Sequence, residues 1–575
     1  MKLPVLARSW SFMRPYRGLI TLAALGIVGS TLVTVAGPAL LKYAIDEGIQ
    51  GGDEGAIRRA ALVYLGLVLA RPLLERLVVV CSARAGERFL GRLRVAAYEH
   101  LQQLSMPFFE SERAGVLIAR LTSDVQTLTT FTRHVLVEVV GSILLLLLTG
   151  IAIVLLSPVL AAVVLVSFPL IVVSAISYQR RSHPSYLSLR ERVGDTMTSL
   201  QEGLTGVRVV KAYGREQAQF ERYRGRSRAQ VHAWRRISLV NISFFSVISF
   251  AQALSSAAVV LVGGWLYWRG ETTIGTVVAI SLYLFSLFDP IGRLGDWLSQ
   301  LQSGRAALTK LVALLETPVT VLGGGVELPE GGALRAERLT FGYGDEPVLH
   351  NVSLTVRQGE QLALVGPTGA GKSTLAKLLT RQYDPTEGVV RLGGVDLREA
   401  TLDSLRRQIV FLPQEGHLFS GTLADNVRLA LPGASDEQVA DALRRIGALA
   451  RFEALPNGLQ TDVRTRGVRL SSGERQLVGL ARVALADPTV IVLDEATSSL
   501  DPATEALVER ALTAVSQGRT VITIAHRLST AQRADRVAVI EGGRLVELAT
   551  HDELVAQGER YAALWASWEA GTRAA

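Results

Sequence analysis

A glycine-rich run near the middle of the chain has the residue types and spacing needed to hold a chain of phosphates. The run reads Gly366-Pro-Thr-Gly-Ala-Gly-Lys372-Ser373, between the apolar strand pattern Leu362–Val365 and a helical pattern. Glycines let backbone amides wrap phosphate oxygens at a helix N-terminus, the lysine reaches the outer phosphates, and the serine hydroxyl suits Mg²⁺. The run therefore predicts a nucleoside-triphosphate site. Its predicted contacts are Gly366, Thr368, Gly369, Gly371, Lys372, Ser373 and Thr374.

Two carboxylates follow a second apolar strand pattern, Val490–Leu493, about 120 residues after the glycine-rich run. Acids after a strand are often ordinary helix caps, so the pair alone says little. Together with a phosphate loop, Asp494 is predicted to ligate Mg²⁺ and Glu495 to activate the attacking water. The combination favours nucleoside-triphosphate hydrolysis.

The composition places this site in an unusual chain. The 575 residues are 49% hydrophobic and 19% charged, whereas soluble domains carry about a quarter charged residues. This balance predicts a membrane protein and excludes disorder, and the single cysteine, Cys81, excludes a disulfide scaffold and a cysteine-based zinc site. The net charge of +8 is interpreted as arginine-rich cytoplasmic loops rather than a nucleic-acid surface. Only six of the 60 basic residues are lysine, which makes each lysine worth inspecting.

Six long apolar runs lie before residue 300 and predict six membrane spans. The third run has 22 residues and one charge, Glu138, and a helix of that length, about 33 Å, crosses a hydrocarbon core. The longer connecting segments are basic: residues 180–236 hold 13 basic and five acidic residues. By the positive-inside rule, these segments and both termini are cytoplasmic. The runs lie near 18–41, 60–83, 135–156, 159–178, 239–267 and 273–291.

The pattern changes after the last run, where short β-rich stretches alternate with helical ones. Such alternation predicts a mostly parallel α/β domain. The chain is therefore predicted to be a multidomain membrane protein. An all-α transmembrane domain with six spans and two long cytoplasmic loops occupies residues 1–315, a linker 316–330, and an α/β P-loop nucleotide-binding domain 331–575.

The order of these motifs resembles that of exporter-type ABC transporters, in which a six-helix membrane domain is fused to an ATP-binding cassette. Residues 335–560 look like the cassette, and residues 10–315 look like the membrane domain. The resemblance covers nearly the whole chain and implies ATP and Mg²⁺ as cofactors. It also implies a bacterial or archaeal cell membrane, which is the inner membrane where there are two, with the cassette in the cytoplasm.

Four further residues match cassette motifs. Tyr343, in Phe341-Gly-Tyr343, matches the aromatic residue that stacks on adenine. Gln414 matches the loop glutamine that touches Mg²⁺ and couples to the membrane domain. Asp501 resembles the D-loop residue that crosses to the partner cassette, and His526 resembles the switch histidine that contacts the γ-phosphate. The resemblance thus assigns Glu495 and His526 as the catalytic residues.

The membrane half carries two matching segments. The segment 108–125 is similar to the first intracellular loop of these exporters, and 202–211 resembles the second. Composition alone indicates solvated helices for both. The resemblance implies coupling elements, which transmit closure of the cassettes to the membrane helices.

The signature motif departs from the family's Leu-Ser-Gly-Gly-Gln. Here it reads Leu470-Ser471-Ser472-Gly473-Glu474, and Thr465 replaces a glutamate just upstream. In the family this motif contacts the ATP held by the opposite cassette. A carboxylate near phosphate is expected to be repulsive. Because Lys372, Gln414, Asp494, Glu495 and His526 are all present, this combination favours one half of a heterodimer over a homodimer.

The spans leave the transported substrate open. Arg71, Glu75 and Arg76 lie within the second run, and a functional site and a structural ion pair are equally consistent with them. A polar stripe in the fifth run either lines a cavity or joins helices; it contains Ser249, Gln252 and Ser256, with Asn241 further along. The leading hypothesis is ATP-driven export of small hydrophobic or amphipathic compounds, of the multidrug or lipid type. The alternatives are a siderophore or lipid-linked importer and a nucleotide-gated channel or sensory subunit.

Overall fold

The computed structural model describes residues 14–344, 346–414, 416–464, 467–494, 502–525 and 528–574. Contacts divide the chain into two compact units. The helical unit contains the chain up to Gln102 and the segment Ala114–Thr317. The α/β unit contains Gln103–Arg113 and the chain from Pro318 onward.

Within the described residues, the regular structure of the first half of the chain is helical. Three π-helical turns, Ala44–Gln50, Arg120–Asp124 and Phe131–Val135, interrupt or end its helices. The helices are α1 Arg17–Tyr43, α2 Glu54–Gln103, α3 Met106–Ser111, α4 Ala114–Ala119, α5 Val125–Thr130, α6 Leu136–Leu156, α7 Pro158–Leu165, α8 Phe168–Thr205, α9 Val207–Ala212, α10 Glu216–Trp268 and α11 Ile274–Leu315.

Five helical stretches among the described residues are long and apolar enough to cross a membrane. They are Arg14–Gln50, Val137–Leu156, Pro158–Thr205, Glu216–Trp268 and Ile274–Arg293. The second predicted span lies in α2, whose apolar stretch carries Arg71, Glu75 and Arg76 and is correspondingly more polar. The count of six spans therefore stays a prediction. Five helical stretches in the described part of the chain have the length and composition of a span.

Polar contacts join several helices of this unit. Asp46, in the turn after α1, accepts hydrogen bonds from the Thr273 hydroxyl and from the Gly275 amide at the start of α11, at 2.6 and 2.8 Å. In the other half of the unit, the Tyr178 hydroxyl of α8 donates to Asn241 of α10 at 3.1 Å. Asn241 therefore joins two helices. Arg71 and Glu75 form an ion pair of 2.8 Å along α2, with both side chains about half exposed in the single chain.

The α/β unit begins after α11 with a stretch that contains little regular structure before residue 334. Its strands are β1 Leu334–Tyr343, β2 Glu346–Val356, β3 Gln361–Val365, β4 Glu387–Leu392, β5 Val395–Asp396, β6 Ile409–Leu412, β7 Val490–Asp494, β8 Thr520–Ile524, β9 Arg536–Glu541 and β10 Arg544–Ala549. Its helices are α12 Lys372–Leu379, α13 Leu402–Gln408, α14 Leu423–Arg428, α15 Asp436–Arg445, α16 Leu449–Glu453, α17 Ser472–Ala486, α18 Pro502–Ser516, α19 Leu528–Arg533, α20 His551–Gln557 and α21 Arg560–Ala574.

Two sheets organise this unit. The larger one has the order β10-β9-β3-β8-β7-β6, and its five strands from β9 to β6 are parallel. The predicted mostly parallel α/β fold is therefore confirmed. The smaller sheet, β2-β1-β4-β5, is antiparallel and was not predicted. One apolar core is shared by both sheets around α12, and a second lies between α14–α17 and the β7 side of the larger sheet.

Candidate nucleotide site

The glycine-rich loop connects β3 to α12, as the sequence predicts. Gly366, Gly369 and Gly371 have φ angles of 149°, 84° and 102°, which residues with side chains rarely adopt. A Cβ at Gly366 would lie 2.0 Å from the Ile540 carbonyl oxygen, so packing also requires glycine there. A Cβ at Gly369 would meet nothing within 4 Å, so this part of the loop is open. The loop thus offers backbone amides with room for a ligand, which is what phosphate binding needs.

Lys372 lies over this loop. Its ammonium donates hydrogen bonds to the carbonyl oxygens of Gly366 and Pro367, at 2.7 and 2.9 Å. Burial lowers the pKa of Lys372 from its ordinary value of 10.5, and the charge of Asp494 partly offsets this effect. The lysine is only 7% exposed, so its charge lies in the loop rather than in solvent.

Strand order brings Asp494 near the loop. In the larger sheet β3 neighbours β8, which neighbours β7, so the carboxyl ends of the three strands lie side by side. Asp494 is the last residue of β7, and Ser373, in the first turn of α12, is exposed. A carboxylate and a hydroxyl are oxygen ligands of the kind that Mg²⁺ prefers, so these two residues fit a magnesium site.

Tyr343 is the last residue of β1 and is 40% exposed. Its hydroxyl lies 3.3 Å from the Thr374 hydroxyl of α12. Its ring packs edge-on against Phe341 and Tyr383, at centroid distances of 5.2 and 5.5 Å. A partly exposed ring fixed beside the phosphate loop is suited to stack on a nucleotide base.

Gln414 follows β6, and its side chain is exposed. The preceding residue, Pro413, lines the same cavity as Asp494. The segment that leads to Gln414 is therefore close to the end of β7. This placement is compatible with the predicted magnesium contact.

The altered signature motif forms the start of α17. Ser471 and Glu474 make a capping box: the Ser471 hydroxyl accepts from the Glu474 amide, and the Glu474 carboxylate accepts from the Ser471 amide at 2.8 Å. The same carboxylate pairs with Arg451 at 2.9 Å and is buried, whereas Ser471 and Ser472 are exposed and Gly473 is buried. The sequence analysis treated Glu474 as a free charge near phosphate. In the fold an arginine neutralises it.

Four predicted residues lie outside the described part of the chain. They are Thr465, Glu495, Asp501 and His526. Their roles stay predictions from the sequence.

Other residues near the site were missed by the sequence analysis. Lys377, Tyr383 and Glu110 form a hydrogen-bonded group next to Tyr343, and Arg451 pairs with Glu474. The scarcity of lysine was a usable signal, since Lys372 and Lys377 are two of only six lysines. Nothing in the local sequence indicates the partners Glu110 and Arg451, which are distant in the chain.

Comparison with known proteins agrees with this geometry. Residues 349–498 match the family model "ABC transporter", and residues 20–291 match "ABC transporter transmembrane region". An uncharacterized ABC transporter ATP-binding protein of Bacillus subtilis is 33% identical, over 97% of this chain and 94% of its own length. The chain belongs to the ABC transporter family.

Other relatives of this ABC transporter have more specific names. The ATP-dependent lipid A-core flippase of Thiobacillus denitrificans is 35% identical over 97% of both chains. The multidrug efflux ATP-binding/permease protein of Mycobacterium bovis is 33% identical over 96% of this chain, which spans 47% of that protein. A solved bacterial Atm1-family ABC exporter with ATP bound has a TM-score of 0.78 and 28% identity, covering 96% of this chain and 98% of its own.

The chain is therefore an exporter half-transporter: a multi-pass membrane protein that binds ATP and couples its hydrolysis to transport. The resemblance seen in the sequence is confirmed.

Proposed function

We propose that this half-transporter exports small hydrophobic or amphipathic compounds across a prokaryotic cell membrane, with its α/β unit in the cytoplasm. The observation that carries the ATP-driven part is the open glycine-rich loop with Lys372 folded over it and Tyr343 exposed beside it. The apolar spans and the basic segment 180–236 support the orientation. Relatives named as a multidrug efflux protein and a lipid A-core flippase support the class of substrate.

Each residue of the site has a distinct role in this proposal. The loop amides and Lys372 bind the phosphates, Tyr343 stacks on adenine, and Glu495 orients the attacking water while His526 contacts the γ-phosphate. Bound by Ser373, Gln414 and Asp494, Mg²⁺ would neutralise charge on the outer phosphates. Rapid turnover is unnecessary for a channel that ATP only gates, so Glu495 favours a pump.

The role of Glu495 is tested with Glu495→Gln. We expect ATP turnover to fall by more than about 100-fold, because one oxyanion-type or water-orienting group supplies that much, while ATP binding survives. ATPase rate and nucleotide binding are measured on the same purified protein. Turnover above about a tenth of wild type would reject the assignment.

We further propose that the transporter pairs with a different half, since Ser472 and Thr465 depart from the family motif. The third departure, Glu474, supports this pairing less than the sequence suggests, because Arg451 neutralises its charge. The Mycobacterium bovis relative, of which this chain spans 47%, has room for a second half. A homodimer is the competing arrangement, and the Glu474–Arg451 pair favours it.

The purified chain alone distinguishes the two arrangements. A heterodimeric half expressed alone should have little ATPase activity, and a second half-transporter should restore it. Substrate-stimulated turnover by the chain alone would establish the homodimer. Assay in vesicles with lipids and with amphipathic dyes then gives the substrate and direction, where accumulation towards the cassette side would indicate an importer.

A further inference from the structure

A carboxylate from the first half of the chain lies beside the proposed adenine platform. Glu110 is in the short helix α3, which belongs to the α/β unit although it lies between α2 and α4 in sequence. Both of its oxygens accept hydrogen bonds from the Lys377 ammonium, at 2.8 and 3.0 Å. The Tyr383 hydroxyl donates to the same carboxylate at 2.7 Å. One carboxylate thus fixes two side chains that are six residues apart.

Lys377 and Tyr383 both reach Tyr343. The Lys377 ammonium lies 5.7 Å from the centroid of the Tyr343 ring and 5.7 Å from that of Tyr383, within the range of cation–π attraction. The rings of Tyr343, Tyr383 and Phe341 pack edge-on, with centroids 5.2–5.5 Å apart. The orientation of Tyr343 is therefore set on one side by the group that Glu110 holds.

The ionisation states agree with these contacts. Burial alone would raise the pKa of Glu110, but hydrogen bonds from Lys377 and Tyr383 together hold it below its ordinary value of 4.5. Burial and the bond to Glu110 raise the pKa of Tyr383, which therefore keeps its proton as a donor. At neutral pH Glu110, Lys377 and Tyr383 therefore form a charged, hydrogen-bonded group.

We infer that Glu110 is a positioning residue for nucleotide binding: it holds Lys377 and Tyr383, which orient the Tyr343 ring for the base. This inference rests on the proposed function of Tyr343 and extends it to a residue of α3. By thermodynamic linkage, if docking of α3 strengthens nucleotide binding by some free energy, bound nucleotide strengthens the docking of α3 by the same free energy. Glu110 thus makes the occupancy of the base site and the position of α3 depend on each other.

Glu110→Gln tests the inference in the purified, assembled transporter. It keeps the shape but removes the charge, and we expect the KM for ATP to rise about 3- to 10-fold, the size of one exposed cation–π contact or somewhat more. The kcat should stay within about twofold, because the residue touches no reacting atom. Inorganic triphosphate, which has no base, should inhibit the variant and the wild type equally well.

Companion variants separate positioning from folding. Lys377→Met should raise the KM like Glu110→Gln, while Lys377→Arg, which keeps a cation, should largely restore it. Tyr383→Phe removes one hydrogen bond and should have a smaller effect in the same direction. Glu327→Gln is the control, since Glu327 forms a more exposed ion pair of similar length, 2.9 Å, with Arg407 in the same unit and makes none of these contacts.

Two results would overturn the inference. One is an unchanged KM for ATP in Glu110→Gln; the other is a loss of triphosphate affinity by the same factor, which would indicate a general effect on the fold. Tyr343→Ala separates this failure from that of the proposed function. If Tyr343→Ala leaves ATP affinity unchanged, the adenine platform itself is wrong; if it weakens ATP and Glu110→Gln does not, only the role of Glu110 is wrong.

Discussion

The N-termini of α12 and α17 differ in whether a side chain caps the backbone amides of the first turn. Every helix begins with backbone amides that lack a partner within the helix. At α12 the preceding residue is Gly371, in a left-handed conformation, which offers no side-chain cap. At α17 a capping box of Ser471 and Glu474 satisfies the first turn, and Arg451 neutralises the added carboxylate.

The difference indicates what each end is for. The start of α12 is left for a ligand, since the phosphates of a nucleotide can supply the missing acceptors and the negative charge. The start of α17 is stable without a ligand and presents the exposed Ser471 and Ser472 outward. In the proposed dimer this motif serves a site on the partner cassette, so it has to keep its shape before that cassette binds. Four predictions test this contrast.

The largest effect is expected at α12. Lys372→Met should weaken ATP binding about 30- to 100-fold, because charge-assisted hydrogen bonds to phosphate are worth about 2–3 kcal/mol in total. Equilibrium binding of ATP to the purified chain measures it. Lys310→Met, which removes a lysine paired with Asp124 at 3.3 Å in the helical unit, is the control and should bind ATP normally. A similar loss in both variants would contradict a specific role for the loop.

The next effect is expected at the hydroxyl of α17. Ser471→Ala removes both the helix cap, which costs about 1 kcal/mol of stability, and the proposed contact with the partner's phosphate. We expect turnover to fall about tenfold in the assembled transporter. Ser435→Ala removes an equivalent capping box with Gln438 at the start of α15, away from any proposed nucleotide contact. Equal loss of activity in the two variants would show that Ser471 acts only as a helix cap.

A smaller effect is expected from the carboxylate of the signature. Glu474→Gln can still accept from the Ser471 amide, since glutamine also completes a capping box. We therefore expect ATPase turnover within about twofold of wild type and a slightly lower melting temperature, because the pair with Arg451 is lost. A clear rise in turnover would instead show that the carboxylate repels phosphate, as the sequence analysis assumed.

The smallest effect is expected on the pH dependence of stability, through the ion pair of Glu110 with Lys377 of α12. Because the folded-state pKa of Glu110 is below 4.5, its ion pair contributes stability above that pH, and the contribution disappears as the pH falls through the lowered value. Wild type should therefore lose more stability than Glu110→Gln between about pH 5 and pH 3. The melting temperatures of the two proteins are compared across this range. If the melting temperatures of the two proteins fall in parallel with pH, the Glu110 ion pair does not contribute to the stability of the unit.

Features that depend on neighbours in sequence were predictable. The glycine spacing before Lys372 and the apolar stretches that became β3 and β7 identified the phosphate loop and the parallel sheet. The apolar runs similarly identified the long helices, because burial or lipid exposure of a whole helix leaves a long uninterrupted signal. Local patterns were therefore sufficient to predict the fold class and the phosphate loop.

Features that depend on distant partners were not predictable. The carboxylate of Glu474 has the same local sequence whether it points to phosphate or to Arg451, 23 residues away. Glu110 reads as part of a solvated helix until a fold brings it to Lys377, 267 residues later. The antiparallel β1–β2 pair contains register shifts, which weaken the alternation that would have indicated it. Distant tertiary contacts decide the first two cases, and a local irregularity of the strands decides the third.

The lone cysteine of the chain has a practical consequence for these experiments. Cys81 lies in α2 with 4% of its surface exposed, so thiol reagents reach it slowly. A cysteine introduced at an exposed position can then carry a fluorophore or spin label with little background from the native thiol. One label on α3 and one on an exposed residue of α15, away from the proposed nucleotide contacts, would report distance changes during turnover.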